Sequence, residues 1–280
     1  MKKTVTVEVN AKINLFLRVT GVKAGYHMLD TVVASVELAD AVSACEAEKN
    51  SVLFSDRGVV TEKSNAYKAL DYMREKYLLP NVCISVKNNI PCGAGLGGSG
   101  ADCAGVIIAL NKLFSLGLSD GEMREIADKF GSDTAYMITG GFARLTGRGD
   151  KIDFFESEFC PEVLIAYSGE VSTKQCFSLF DEMKQTAVFP DSDRLIRLLE
   201  SDCPEKAEDC FFNHLTLPAR TLNDGVARIL DIAKGRKAVM TGSGAGVVIF
   251  SPDEQTEKEL LSGGINVIKT RVLPSSRLLN

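Results

Sequence analysis

Residues 91–102 read Pro91-Cys92-Gly93-Ala94-Gly95-Leu96-Gly97-Gly98-Ser99-Gly100-Ala101-Asp102. Five glycines fall within the eight residues Gly93 to Gly100, and an apolar stretch with helical spacing, Ser99 to Phe114, follows at once. Glycine lets the main chain approach a ligand closely and aim successive N–H groups at it. A helix start adds free N–H groups and the positive end of the helix dipole at the same spot. The pattern predicts a phosphate cradle. It is not a Walker A loop, because Gly100 is followed by Ala101 and not by lysine. Gly93, Gly95 and Gly98 formally match the dinucleotide pattern G-x-G-x-x-G. The flanking chain is not a clean βαβ unit, however, and Asp120 lies near a helix cap and not at a strand end. The protein-kinase triplets H-R-D and D-F-G are both absent.

Upstream of the loop, Thr4 to Val9 and Ile13 to Val19 alternate with period two, which predicts two half-buried strands. Leu29 to Leu38, Val52 to Phe54 and Val82 to Val86 predict further strands. Ser64 predicts the cap of a helix with Ala66, Ala69, Leu70, Met73 and Tyr77 inward. Downstream, Ser119 and Glu122 make a capping box for a helix that Gly131 ends, leaving Asp133 on a short exposed turn. Asp150 to Glu162 lacks clear periodicity, and the domain boundary is expected there. Beyond it the chain predicts a strand at Val163–Tyr167, helices near Asp193–Glu200 and Pro218–Lys234, and strands near Lys237–Met240 and Gly246–Phe250. A helix from Asp253 and a strand from Ile265 complete the reading. Strands and helices mix without strict βαβ alternation, so an α+β fold is expected in both halves.

The chain has 280 residues, enough for two domains with sizeable cores. Lys plus Arg number 32 against 37 Asp plus Glu, a net charge of −5, which argues against a nucleic-acid binder working through a global positive field. No apolar run is long enough to span a bilayer, and none near Met1 forms a secretion signal. A cytoplasmic protein that touches neither nucleic acid nor membrane is expected, as a monomer or homodimer. The eight cysteines include no C-x-x-C pair and no zinc spacing with His27 or His214. They predict reduced, mostly buried thiols, and His214 is expected to be structural. Lys12 and Asn14 share one face of their strand, and a lysine on a half-buried strand is commonly solvated.

Pro-x-Gly-x-Gly-Leu-Gly-Gly-Ser opening a helix resembles the ATP loop of the GHMP kinase superfamily, small-molecule kinases that include mevalonate and homoserine kinases. Ala11-Lys12-Ile13-Asn14-Leu15 resembles its N-terminal strand. Gly131-Ser132-Asp133 resembles its catalytic aspartate motif, and Thr241-Gly242-Ser243-Gly244-Ala245-Gly246 its C-terminal glycine motif. The resemblance runs from about Lys12 to Val272. It implies a two-domain GHMP kinase fold, with residues 1–155 as the ATP-binding domain (ribosomal protein S5 domain 2-like) and 156–280 as a ferredoxin-like C-terminal domain. It implies ATP on Pro91, Gly93 to Gly98, Ser99, Gly100 and Ala101, with Mg²⁺ near the Ser99 hydroxyl. Lys12 and Asp133 are implied as catalytic residues, Lys12 near the transferred phosphate and Asp133 taking the proton of the acceptor hydroxyl.

Gly25-Tyr26-His27 narrows the resemblance to members that act on a cytidine diphosphate-linked methylerythritol. Tyr26 would then stack on cytosine and His27 meet its polar edge, with Thr173 and Phe177 across the pocket and Asn14 and Gly242 also on the substrate. Another small alcohol as acceptor, or a non-catalytic ligand-binding relative, are the alternatives; a pure binder needs neither Lys12 nor Asp133. The chain departs from the family at two places. Gly100 stands where a second serine is usual, and Thr134-Ala135-Tyr136-Met137 replaces Val-Pro-Phe-Phe after the aspartate.

Overall fold

The structure, a computed structural model, describes residues 3–56, 58–60, 64–183 and 191–275. The chain divides into two compact units. The first comprises Met1–Ala11, Leu38–Pro91 and Gly97–Gly140, and the second Lys12–Glu37, Cys92–Leu96 and Gly141–Asn280. Two long strands, β1 (Thr4–Lys23) and β2 (Tyr26–Glu46), each run through both. For that reason the units interleave in sequence and do not follow the expected break at residues 155 and 156.

The first unit adds β3 (Ser51–Phe54), β4 (Gly58–Val60), α1 (Asn65–Tyr77), β5 (Val82–Lys87), α2 (Gly98–Phe114), α3 (Asp120–Ala127) and α4 (Ser132–Thr139). Strand β5 pairs antiparallel with β2 from Lys87↔Ala41 to Val82↔Glu46, and β3 lies parallel to β5. The Ser64 side chain accepts from Tyr67 N–H, and Ala66, Ala69, Leu70 and Met73 are buried, as the period predicts. Both halves of the Ser119–Glu122 capping box are made. Helix α2 packs against both α1 and α4, which explains why it is apolar nearly all round.

The second unit adds β6 (Phe142–Gly147), β7 (Lys151–Phe155), β8 (Glu162–Tyr167), α5 (Thr173–Met183), α6 (Ser192–Leu199), a 3₁₀ turn (Pro204–Cys210) and β9 (Phe212–Asn213). These are followed by α7 (Thr216–Leu222), α8 (Asp224–Ile232), β10 (Ala238–Met240), β11 (Gly246–Phe250), α9 (Glu254–Ser262) and β12 (Asn266–Arg271). Four of these strands form an antiparallel sheet in the order β10-β11-β8-β12. Chain order β8, helices, β10, β11, α9, β12 with that spatial order is the split βαβ arrangement of ferredoxin-like folds. Its core gathers Leu164, Ala166, Val226, Ile229, Val247, Ile249 and Leu260.

Several expectations change. Thr4 to Val19 is one continuous strand. Gly131 does not merely end a helix: at φ +146 it is the N-cap of α4, so Asp133 lies in a helical first turn. The aperiodic stretch from Asp150 is not a linker, since β7 pairs with β6 from Lys151↔Thr146 to Phe155↔Phe142. Its alternation is hidden because β7 is largely exposed on both faces. The helix expected over Pro218–Lys234 is two, broken at Asn223, whose side chain caps α8 by accepting from Val226 N–H. Cys92, Cys160 and Cys203 are exposed and Cys45 and Cys83 half-buried, so only three of the eight thiols are buried and the expectation of mostly buried cysteines does not hold. Burial pushes the Cys103 thiol up to about 12 and Cys176 up to about 11, so these two stay protonated and inert.

Candidate functional site

Strand β1 carries Lys12 and Asn14 on one face, and both are buried, at 4% and 3% exposure. The solvated lysine that the pattern suggests is therefore replaced by an enclosed ammonium, which needs acceptors. Lys12 Nζ donates to Asn14 Oδ1 at 2.7 Å. Asn14 Oδ1 also accepts from Gly242 N–H at 2.9 Å, and Asn14 Nδ2 donates to Thr31 Oγ1 at 2.8 Å. Thr241 Oγ1 lies 3.2 Å from the same Oδ1 and 3.1 Å from Gly95 O, and it accepts from Asn14 N–H. Sequence reasoning singled out Lys12, Asn14 and Gly242; it missed Thr31 and Thr241, although Thr241 opens the quoted glycine motif.

The first half of the glycine-rich loop, Cys92 to Leu96, lies directly on the 241–246 turn. A Cβ at Gly95 would stand 2.3 Å from Thr241 O, and one at Gly246 2.3 Å from Ala94 O. A Cβ at Gly242 would meet Gly95 Cα at 3.0 Å. No side chain fits at Gly95 or Gly246, and at Gly242 the tight contact and φ +61 both favour glycine, so these glycines serve close backbone approach. Ala245 N–H donates to Gly93 O at 3.3 Å, and Leu96 O accepts from Lys12 N–H at 3.0 Å. The side chain of Glu170 covers Gly93, where an added Cβ would meet its Cγ at 2.6 Å.

The second half belongs to the first unit. Gly97 is the N-cap of α2 in the left-handed region, φ +79, with no side-chain cap. The open first turn suits an anion, because its N–H groups and dipole both point there. Ser99 is exposed on this turn. The α2 start abuts the α4 start: a Cβ at Gly100 would stand 3.2 Å from Thr134 N and 3.3 Å from Asp133 Cβ. Asp133 itself occupies the first turn of α4, where a negative charge is favoured by the dipole.

Strands β1 and β2 are joined by a two-residue hairpin turn, Ala24 (φ +51) and Gly25 (φ +79), the paired positive φ values of a tight turn. Tyr26 and His27 follow immediately. Tyr26 is 58% exposed, and the Arg148 guanidinium lies over its ring at 5.2 Å from the centroid. His27 stacks on Phe177 at 4.5 Å, and its Nε2 meets Asp181 Oδ1 at 2.9 Å. Phe177 therefore presents its face to His27. Thr173, at the start of α5, pairs its hydroxyl with that of Ser243 at 2.8 Å. Arg148, Asp181 and Ser243 were not foreseen. Ser243 sits inside the glycine motif and was legible there; the other two lie on segments with no local signature.

Near the start of β2, Asp30 accepts from Arg144 Nε at 2.8 Å, Arg18 Nη2 at 3.0 Å and Ser192 Oγ at 2.7 Å. Burial pushes the Asp30 carboxyl up, but the hydrogen bonds from Arg144 and Ser192 and the two guanidinium charges outweigh it and hold it below the ordinary range. His214 is joined to the main chain of β1. Its backbone N–H donates to Leu17 O at 2.8 Å, and its Nδ1 accepts from Val19 N–H at 3.1 Å. Burial, then the Arg18 charge, push its pKa down. Among the described residues no cluster of three or more acidic, histidine or cysteine side chains is arranged to hold a metal, and no helix is long and apolar enough to cross a membrane.

Residues 64–143 match the family model of the GHMP kinases N terminal domain. The 4-diphosphocytidyl-2-C-methyl-D-erythritol kinase of Syntrophomonas wolfei is 30% identical over 267 residues, covering 92% of this chain and 93% of its own. The enzyme of the same name from Caldicellulosiruptor saccharolyticus is 32% identical, covering 85% and 84%. Among solved structures, a 4-(cytidine 5'-diphospho)-2C-methyl-D-erythritol kinase superposes with a TM-score of 0.77 at 22% identity over 96% of this chain and 99% of its own. The mevalonate kinase of Methanococcus jannaschii gives 0.67 at 18% identity, over 97% and 99%. At those identities the structural likeness speaks to the fold, and the sequence relatives speak to the family. The chain belongs to the GHMP kinase superfamily, in the family of the 4-diphosphocytidyl-2-C-methyl-D-erythritol kinases.

Proposed function

We propose that this protein transfers the γ-phosphate of ATP to the 2-hydroxyl of 4-diphosphocytidyl-2-C-methyl-D-erythritol, in the supply of isoprenoid precursors. The observation that carries the reading is the enclosed Lys12 ammonium, fixed by Asn14 beside a turn that the glycine-rich loop touches backbone to backbone. A buried cation held this way is suited to meeting an anion. Phosphoryl transfer uses such a cation, because it relies on alignment and on neutralising charge on the moving group.

In this reading Lys12 supplies positive charge to the transferred phosphoryl group, and Asn14 and Gly242 orient the acceptor end of the substrate. Asp133 positions the acceptor hydroxyl and receives its proton. The loop Pro91 to Ala101, with the uncapped first turn of α2, holds the phosphates of ATP. The exposed Ser99 hydroxyl would face a Mg²⁺ ion carried on the phosphates, an ion that usually keeps few protein ligands. When bound, Mg²⁺ neutralises phosphate charge. Tyr26 offers the stacking face for cytosine. His27, with Nε2 engaged by Asp181, offers Nδ1 to the polar edge of the base, and Phe177 and Thr173 complete that wall. The protein is read as a cytoplasmic monomer or homodimer.

A coupled assay of ADP release tests the reading, with the cytidine-linked substrate run beside mevalonate and homoserine. Release with the cytidine substrate alone is expected. Equal or faster release with either of the others would overturn it.

A further inference from the structure

We infer that Asn213 is a positioning residue for the reaction: it sets the Gly242 turn, and through it the Lys12–Asn14 pair. Its catalytic consequence rests on the kinase reading above. Asn213 lies on β9, opposite Leu17 of β1, and is 5% exposed. Its Nδ2 donates to Met240 O at 2.7 Å and to Gly242 O at 2.9 Å, while its Oδ1 accepts from Leu215 N–H at 2.9 Å. Two carbonyls on one side and one N–H on the other fix which way the amide points.

Gly242 is thereby held from both ends. Asn213 takes its carbonyl, and Asn14 takes its N–H at 2.9 Å. The residue sits at φ +61, a backbone state that glycine enters and leaves freely, so its position depends on these two bonds. The oxygen of Asn14 that receives Gly242 N–H is the same oxygen that receives Lys12 Nζ. A shift of Gly242 therefore acts on an acceptor of the ammonium. Asn213 reaches the residues assigned to substrate through its bond to the Gly242 carbonyl, so its effect on the reaction runs through Gly242.

Asn213→Asp tests this with little change of shape. At high pH a carboxylate oxygen would face two carbonyl oxygens and repel both. When protonated, the same group regains a donor, and burial among acceptors raises the pKa of such a carboxyl. At pH 8 the variant is expected to lose about tenfold or more in kcat. Its ratio to wild type, measured at each pH, is expected to recover several-fold at pH 6. A kcat within about twofold of wild type at both pH values, or a deficit that does not change with pH, would overturn the inference.

A second measurement needs no substrate: competitive acetylation of lysines, read peptide by peptide. Lys12 is expected to label at least about threefold faster in the variant, relative to Lys87 and Lys112. An unchanged relative rate would overturn the inference. If the aspartate variant does not fold, Asn213→Ser, which keeps one hydroxyl donor and loses the other contact, carries the labelling test with the same outcomes. A wild-type protein that fails to phosphorylate the cytidine substrate would refute the kinase reading, and the labelling would still decide the role of Asn213.

Discussion

A Cβ on Gly100 would stand 3.3 Å from the Cβ of Asp133. The first turns of α2 and α4 thus meet at the main chain, with Thr134 N at 3.2 Å from the same point. The two departures from the family pattern, Gly100 for serine and Thr134 for valine, are in contact and form one local change. A side chain at 100 would sit closer to the aspartate than ordinary van der Waals contact allows. We expect Gly100→Ala and Gly100→Ser each to lower kcat several-fold and to cost about 1–3 kcal/mol of stability, the usual range for overpacking. The alanine variant adds the Cβ without a hydroxyl, so similar losses in both assign the effect to contact. Full activity in the serine variant would contradict it.

Lys12→Met replaces a buried ammonium by a side chain of similar length, and Asn14 Oδ1 keeps its bond from Gly242. Asp133→Asn changes charge and little else. Both variants are expected to fold and to lose at least about a thousandfold in turnover, as when a contact made in the transition state is removed. Circular dichroism and steady-state kinetics on the same samples check this; near-normal turnover in either would remove that residue from the mechanism.

Tyr26 is exposed on one side and covered by the Arg148 guanidinium on the other. Tyr26→Ala is expected to raise KM for the cytidine substrate by an amount equivalent to about 1–3 kcal/mol, the worth of one stacked base, and to leave KM for ATP nearly unchanged. Arg148→Ala should shift the cytidine substrate in the same selective way and by less. Equal changes for both substrates would place cytosine elsewhere.

His214 accepts a hydrogen bond at Nδ1 and its pKa is pushed down by burial and by Arg18. The folded state thus binds this proton less readily than the unfolded chain, so the group stabilises fully above the unfolded value of about 6.5 and loses that contribution as pH falls. Urea unfolding of wild type from pH 7.5 to pH 5 should show declining stability with a component absent from His214→Asn, whose side chain can accept at the same place. Parallel curves for the two proteins would show that His214 is not responsible.

The glycine-rich loop, α1 with its Ser64 cap, the Ser119–Glu122 box and the strands of the second sheet were all legible, because each is encoded by neighbours in sequence. The pairing of Lys12 with Asn14 was half legible: period two put them on one face, but nothing local reported that both faces of β1 are covered. Strand β7 was missed because exposure on both sides erases alternation. The break at Asn223 was missed because the apolar period continues across it, while the cap that starts α8 depends on one side-chain bond. Asn213, Asp181 and Arg148 draw their meaning from partners 27 or more residues away in the chain or from a ring across a turn, and no local pattern carries that.

The joint between residues 94–95 and 241–246 is mostly main chain, with the Thr241 hydroxyl on Gly95 O its one hydrogen-bonding side chain described above, so there is little in it for substitution to adjust. A combinatorial library that randomised this joint would be emptied at Gly95 and Gly246, where even alanine brings a methyl carbon to 2.3 Å from a carbonyl oxygen. Lineages drifting toward a new acceptor face the same bar. Their accessible variation lies at the margins, at Cys92, Glu170 and Ser243, while the three glycines behave as a fixed inheritance that neither loop can revise without the other.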